Sequence, residues 1–329
     1  MKLEEIGFYT LSDKRANNTS PTSQMKRCEM IINEFCNFKC PYCRGLHEDV
    51  FGNSIKKELP IEDIKKNIDA WCQWGPLENI RFSGGEPTFH PGIVEAVQYA
   101  KDSGIKRIAI STNGSMKRKL YERLIEAGCN DFSISLDAAD AETGDMMAGD
   151  IKGAWQKVID NIRWISKETY VTVGVVLEPG NVNRFIEIVK FASSLGVSDI
   201  RVIPSAQWNG SLEELKNIPE EVLDKHPILR YRVNNFLAGK HVRGLKGTDT
   251  KKCPLVLDDS VIAGRNHYPC VIFFREQGKP IGPVSHTMRE DRVKWLESVD
   301  THENPICKAN CLDVCIDYNN KADKCRGAG

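Results

Sequence analysis

The feature that most constrains this 329-residue chain is the run Cys36-Asn37-Phe38-Lys39-Cys40-Pro41-Tyr42-Cys43. Three thiolates with gaps of three and two residues can converge on one face of an iron–sulfur cubane. A cubane that only transfers electrons is closed by a fourth cysteine. Here the next cysteine is Cys72, inside a helical pattern, so the fourth iron is left for an outside ligand. The alternative for such a run is a structural zinc ion, which usually takes four ligands in C-x2-C pairs. Residues 26–34 read as the strand that delivers this loop from its C-terminal end.

A second motif, Ser83-Gly84-Gly85-Glu86-Pro87-Thr88, follows the apolar strand pattern Asn79-Ile80-Arg81-Phe82. Two glycines at a strand end let the backbone approach a ligand, because no Cβ intervenes. Glu86 offers an acceptor for an ammonium group. Alone, such a run is a tight turn. Placed about forty residues after the cysteines, it makes a pair that resembles the CxxxCxxC and GGEP elements of the radical S-adenosylmethionine (SAM) superfamily. The resemblance implies that the amino and carboxylate groups of SAM bind the open iron of a [4Fe–4S] cluster, with Gly84, Gly85, Glu86 and Pro87 holding the amino group. It also implies that Tyr42 packs near the adenine, that Ser135 and Asp137 bind the ribose or carboxylate, and that the backbone of Val202-Ile203-Pro204 meets the adenine. Asn113 and Glu178 are further candidates. Each of these is equally a residue type that caps a strand end or a turn.

Strand and helix patterns alternate through the first two thirds of the chain. Helices are expected at 60–74, 93–102, 117–127, 154–166 and 184–195, and strands at 80–83, 107–112, 132–137, 170–177 and 199–204. Gly104, Gly128 and Gly196 mark helix ends. Such alternation gives a parallel sheet with helices outside and ligands at the C-terminal strand ends. The resemblance narrows this to an α/β fold, a partial (β/α)6 TIM-like barrel with a small C-terminal cysteine-rich metal-binding domain. The expected organisation is a polar, loosely ordered segment over 1–25, the barrel over 26–208, a bridge of two polar helices over 209–245, and the cysteine-rich unit over 246–329.

That last unit holds Cys253, Cys270, Cys307, Cys311, Cys315 and Cys325. So many cysteines with few apolar runs suggest a unit held by metal. Cys253 and Cys270 flank Asp258–Gly264, which reads as a strand and turn, and Cys307, Cys311 and Cys315 at i, i+4 and i+8 can share one helix face. The pattern resembles the SPASM or twitch extension of radical SAM enzymes, implying one auxiliary [4Fe–4S] cluster on Cys253, Cys270, Cys307, Cys311 and Cys315. The spacing departs from SPASM, having no C-x2-C in the tail, and a zinc knuckle is the alternative. Cys28, Cys72 and Cys129 read as small hydrophobes, although Cys129 can also face the cavity. Trp71 and Trp74 read as core.

Forty-five basic residues balance forty-five acidic ones, which gives no electrostatic footprint for nucleic acid. No apolar run is long enough to span a membrane, and the first residues lack a signal-peptide core, so a cytoplasmic location is expected. The resemblance implies an enzyme that cleaves SAM to a 5′-deoxyadenosyl radical and takes a hydrogen atom from a small molecule (a sugar or nucleotide) or a peptide. A net dehydrogenation is one outcome, and a flavodoxin- or ferredoxin-type protein is the electron donor. The contrasting reading is a non-catalytic iron–sulfur scaffold. No catalytic side chain is assigned. His267 and His286 are acid–base candidates, and Arg275, Glu276 and Lys279 sit either against a charged substrate or on an exposed hairpin tip.

Overall fold

The structure is a computed structural model and describes residues 14–44, 58–205 and 212–327. Six strands, β1 (Arg27–Asn33), β2 (Asn79–Gly84), β3 (Arg107–Thr112), β4 (Asp131–Ser135), β5 (Tyr170–Leu177) and β6 (Asp199–Pro204), pair in parallel in chain order. Helices Ile61–Cys72, Ile93–Asp102, Arg118–Ala127, Ala154–Glu168 and Phe185–Ser194 connect them. The fold is α/β with the partial-barrel arrangement. Alternate residues of each strand point to opposite faces. Cys28, Met30, Ile32, Ile80, Phe82, Ile108, Ile110, Phe132 and Ile134 face the helices and form one core with Ile64, Val97, Leu124 and Ile162. The opposite face carries Arg27, Glu29, Arg81, Arg107, Ser133, Thr172 and Arg201 around a cavity.

The sheet does not stop at six strands. β7 (Val261–Ala263) pairs in parallel with β1, and β8 (Asn266–Tyr268) and β9 (Gly282–Pro283) continue it antiparallel, giving nine strands in the order β6-β5-β4-β3-β2-β1-β7-β8-β9. The tail therefore buries Ile262 and Met288 in the main core. Smaller apolar clusters form around Tyr268 and Phe274 and around Leu257 and Leu296.

Several expectations are corrected. Within the polar N-terminal segment, the part from Lys14 onward is ordered: Ala16 packs against Leu255, Tyr318 and Ala322, and the Thr19 hydroxyl bonds that of Tyr318. Residues 1–13 lie outside the described residues. Residues 212–245 are not a solvated bridge: helix Pro227–Leu237 lies against β6 and buries Ile228, Leu229, Arg232 and Val233. Arg232 forms a buried ion pair with Asp313, which anchors the start of helix Asp313–Gly327. Cys307, Cys311 and Cys315 do not share one helix. Helix Pro305–Asn310 ends at Cys311, whose backbone is extended, and Cys315 sits in the next helix. Trp71 is core, but Trp74 is 36% exposed. No helix among the described residues is long and apolar enough to cross a membrane.

Candidate functional site

The glycine pair and the cysteine loop are one unit. The backbone of Gly85 donates to Asn33 O at 2.9 Å and that of Glu86 to Phe35 O at 2.6 Å. A Cβ on Gly85 would lie 2.3 Å from the carbonyl oxygens of Glu34 and Phe35, and one on Gly84, at φ +147°, would lie 2.3 Å from Asn33 O. Only glycine permits this approach. The Glu86 carboxylate is buried and already well supplied with donors. Oε1 accepts from Thr88 N at 3.0 Å and from the hydroxyls of Thr88 and Thr112, and Oε2 accepts from Asn113 N at 2.6 Å. Burial raises its pKa and those donors oppose the rise. A carboxylate has about four lone-pair sites, so Oε2 keeps one for a further donor.

Asn113 connects this acid to the cysteines. Its Nδ2 donates to Asn37 Oδ1 at 2.9 Å and points at Cys36 Sγ at 3.8 Å, and Phe38 N points at the same sulfur at 3.4 Å. Cluster sulfurs accept such N–H groups, which tune the potential. Cys36, Cys40 and Cys43 all line the cavity. Burial pushes the Cys36 thiol up to about 11 and the Cys40 thiol up to about 12, with Asp137 adding to the latter; a coordinated thiol is deprotonated outright. Among the described residues no three His, Cys, Asp or Glu side chains are gathered tightly enough to share one ion. A cubane does not require that, since each thiolate takes its own iron. The donor set therefore fits a three-cysteine cluster.

The other SAM-facing candidates divide. The Tyr42 hydroxyl bonds Asp137, whose Oδ1 also accepts from Val176 N at 2.6 Å, so this carboxylate ties the cysteine loop to β4 and β5. Burial pushes Asp137 up to about 7. Ser135 is exposed toward the cavity, and its hydroxyl has no hydrogen-bond partner among the described residues. Val202, Ile203 and Pro204 line the same wall. Pro87 starts a short 3-10 turn and is buried. Glu178 does not line the cavity; its backbone N–H donates to Asn181 Oδ1 at 2.9 Å and caps the end of β5. One support was not expected from the sequence. Helix Ala141–Met147 ends at Gly149 (φ +94°), and Ala148 O accepts from Lys39 N at 2.9 Å inside the cysteine loop.

In the tail, Cys253, Cys270, Cys307, Cys311 and Cys315 line one small apolar cavity of about 40 Å³. Asn319 Nδ2 donates to Cys253 Sγ at 3.4 Å, and Phe273 N donates to Cys270 Sγ at 3.4 Å. Burial raises the thiols of Cys253, Cys270, Cys307 and Cys311, and neighbouring sulfurs raise the last three further; Cys270 is pushed up to about 12. A bound metal supplies the positive charge such a group needs. Cys325 stands apart, exposed, with its thiol donating to Asn17 Oδ1 at 3.4 Å. Cys270 and Cys315 line this cavity and the larger one alike.

The larger cavity, about 700 Å³, fills the inner face of the sheet. Eight arginines line it, with no lysine or histidine. Arg27 meets Asp259 at 3.6 Å, Arg275 meets Glu29 at 3.8 Å, and Asp131 serves both Arg107 and, at 3.8 Å, Arg81. Arg44 pairs with Glu276 and Arg232 with Asp313. The segment 271–280 is thus no hairpin tip: Val271–Arg275 is a short helix, Arg275 reaches the cavity, and Lys279 is exposed outside it. His267 is wholly buried against Trp71 and Arg292, and burial pushes it down to about 3, so it belongs to the core and not to the cavity. His286 is exposed away from the site. Cys28 and Cys129 are buried; Cys129 donates to Asp131 O at 3.6 Å and does not reach the cavity.

Residues 30–192 match the model of the radical SAM superfamily. Among curated proteins, the chain is 27% identical over 225 residues to the "Probable GTP 3',8-cyclase" of Sulfurisphaera tokodaii, 63% of this chain and 70% of that one. It is 31% identical over 181 residues to the GTP 3',8-cyclase of Pseudomonas fluorescens, 53% of each chain. It is 30% identical over 165 residues to the AdoMet-dependent heme synthase of Methanosarcina barkeri, 49% of this chain and 45% of that one. The chain therefore spans about half the length of the latter two. Among solved structures, anSMEcpe with bound AdoMet superposes with a TM-score of 0.62 at 16% identity, over 92% of this chain and 94% of that one. Streptococcus suis SuiB bound to S-adenosylmethionine gives 0.59 at 14% identity, over 88% and 69%. At those identities the likeness speaks for the fold. The matched segment contains the cysteine loop and the glycine turn, and residues 30–192 are a radical SAM domain, of a superfamily whose members are enzymes that bind SAM and a [4Fe–4S] cluster.

Proposed function

We propose that this chain cleaves SAM reductively on a cluster held by Cys36, Cys40 and Cys43, and uses the product to take a hydrogen atom from a small polar substrate. The observation that carries the reading is the meeting of that loop, the Glu86 turn and the unpartnered Ser135 hydroxyl on one cavity of about 700 Å³. Cys36, Cys40 and Cys43 would hold the cluster, which would supply the one electron needed to cleave SAM and so the acceptor for the substrate's hydrogen atom. The protein's part is orientation and exclusion of water. Glu86 and Asn113 fix the loop, Asp137 holds Tyr42 against it, and Gly84, Gly85, Ser135 and Val202–Pro204 present backbone and hydroxyl groups to the cofactor. A flavodoxin- or ferredoxin-type donor supplies the electron.

The barrel over 26–208 and the helical segment over 209–245 serve this chemistry, and the tail over 246–329 adds a second site. There Cys253 and Cys270, with two of Cys307, Cys311 and Cys315, would supply the four ligands of one auxiliary [4Fe–4S] cluster. Because Cys270 and Cys315 border both cavities, whatever those sulfurs hold adjoins the substrate compartment. A cluster held there would accept the electron left on the substrate, whose proton would pass to solvent, and this favours net dehydrogenation. A small charged molecule suits a cavity of about 700 Å³ lined by eight arginines, although SuiB has been solved with precursor peptide SuiA and anSMEcpe with a Kp18Cys peptide. The test is anaerobic reconstitution followed by dithionite and SAM. 5′-Deoxyadenosine should accumulate even without substrate, and its absence from well-loaded protein, with or without cell extract, overturns the reading.

A further inference from the structure

We infer that the inner wall of the barrel is a receptor for a phosphate group, and that Arg201, Arg243 and Arg275 hold that group on the substrate. The inference deepens the proposed reading and rests on it. Closed barrels fill this space with bulky branched side chains, whereas here it is open and lined by charge. Arg201 lies midway along β6 beside Gly174 of β5, and its Nη2 would be 3.7 Å from a Cβ at that glycine. The bare glycine leaves room for the guanidinium to lie along the sheet. Arg201 is two residues below Ile203, about 6–7 Å deeper than the strand tops, which separates it from the SAM-facing groups.

Arg201 makes no hydrogen bond and no ion pair with any described residue. It is more than a third exposed, yet the surrounding protein pushes its guanidinium down to about 10. The two observations agree when the exposure is to the cavity and not to bulk solvent. Arg243 lines the same cavity, at an isolated bridge to Leu312. It has no ion pair, and its buried Nε has no partner. Burial lowers both guanidinium groups, and neighbouring arginines, Arg275 among them, lower them further against the opposing charge of Glu29 on Arg201 and of Glu276 on Arg243; Arg275 itself meets Glu29 only at 3.8 Å, beyond hydrogen-bonding distance. Asp131 is shared between two arginines, so the wall carries more positive charge than its own acids neutralise. Charges left without partners inside a protein are costly, and a bound anion supplies what is missing here. The forked donors of arginine match the oxygens of phosphate in bidentate fashion, and the absence of lysine from the lining among the described residues fits recognition by geometry. The substrate class is a phosphorylated small molecule, either a monophosphate ester or a di- or triphosphate.

Calorimetry on the cluster-loaded enzyme tests this, with inorganic phosphate, inorganic pyrophosphate, citrate and SAM as separate titrants. Wild-type protein should bind pyrophosphate or phosphate, and the tighter of the two indicates which phosphate source the site prefers. Arg201→Gln and Arg243→Gln should each weaken that anion about tenfold to a hundredfold, the effect of one hydrogen bond to a charged group, and the double variant should abolish binding. SAM affinity should stay within twofold in both single variants, which also shows that they are folded. Failure of SAM to bind the wild type overturns the underlying reading. SAM binding with no phosphate or pyrophosphate binding overturns the receptor alone, as does anion binding that survives both substitutions. Citrate binding as tight as pyrophosphate overturns the phosphate assignment, and a loss of SAM affinity equal to the loss of anion affinity moves Arg201 into the SAM site.

Discussion

The two groups of cysteines in this chain are built in opposite ways. Cys36, Cys40 and Cys43 come from one short loop, face a cavity of about 700 Å³, and are held by contacts from β2, β3 and the helix Ala141–Met147. Cys253, Cys270, Cys307, Cys311 and Cys315 come from four separate segments and close around about 40 Å³ of apolar space. A site made by one loop exists as soon as that loop is in place, and three ligands leave it open for chemistry. A site made by distant segments exists only once the tail has folded, so metal binding and folding become one equilibrium there. The contrast predicts that losing the first group removes activity and spares the fold, and that losing the second does the reverse.

The largest effect should come from Cys36→Ala, Cys40→Ala, Cys43→Ala combined. Deoxyadenosine formation should fall below detection, while iron drops from about eight to about four per chain and the melting temperature hardly moves. A triple variant that binds no iron breaks the comparison. Cys253→Ala should next lower iron by a similar amount and raise protease sensitivity in the tail, while uncoupled SAM cleavage persists. Because β7 is hydrogen-bonded to β1, this loosening should reach the first strand, measurable as faster amide exchange at Glu29 and Ile31.

A smaller effect concerns Glu86→Ala. Its SAM affinity should fall by roughly 1.5–3 kcal/mol, the range for a hydrogen bond to a charged group. Burial alone would make the site intolerant of this acid, so the four donors that converge on it are the reason it is retained. Asp137 gives a pH signature. Its folded pKa of about 7 lies above the ordinary carboxylate value of about 3.9, so the folded chain holds this proton more tightly than the unfolded one. That contribution is present in full below about pH 4 and is lost as pH rises to about 7. Asp137→Asn should therefore gain stability relative to wild type across that window, by roughly 1–3 kcal/mol after allowing for the Tyr42 and Val176 bonds that favour the anion. A flat difference between the two proteins removes Asp137 from this role. The smallest effect belongs to Glu178→Gln, which lies off the cavity and should change SAM affinity less than twofold.

The same contrast explains what could be read from the sequence. The strand–helix alternation and the Cys36–Cys43 loop are local patterns, and each of the six parallel strands lies within about a residue or two of its expected place. The tail is encoded by packing. β7 and β8 are three residues each, too short for a period, and nothing local says that Val261–Ala263 adds to the edge of β1. The one-helix reading of Cys307, Cys311 and Cys315 failed because spacing cannot show that Cys311 is an extended break between two helices. One signal was available and unused. Buried parallel strands normally read as continuous apolar runs, yet Arg27, Glu29, Arg81, Arg107, Asp131 and Arg201 interrupt these at alternate positions. That alternation announces a polar barrel interior.

The most direct test of one open and one closed cluster is electron paramagnetic resonance of the dithionite-reduced protein, with and without SAM. The account predicts two reduced-cluster signals in the wild type, only one of which changes when SAM is added. In the Cys36→Ala, Cys40→Ala, Cys43→Ala variant the remaining signal should be indifferent to SAM. Stoichiometric zinc in the wild type, a SAM-insensitive spectrum, or a SAM response that survives in that variant would contradict it.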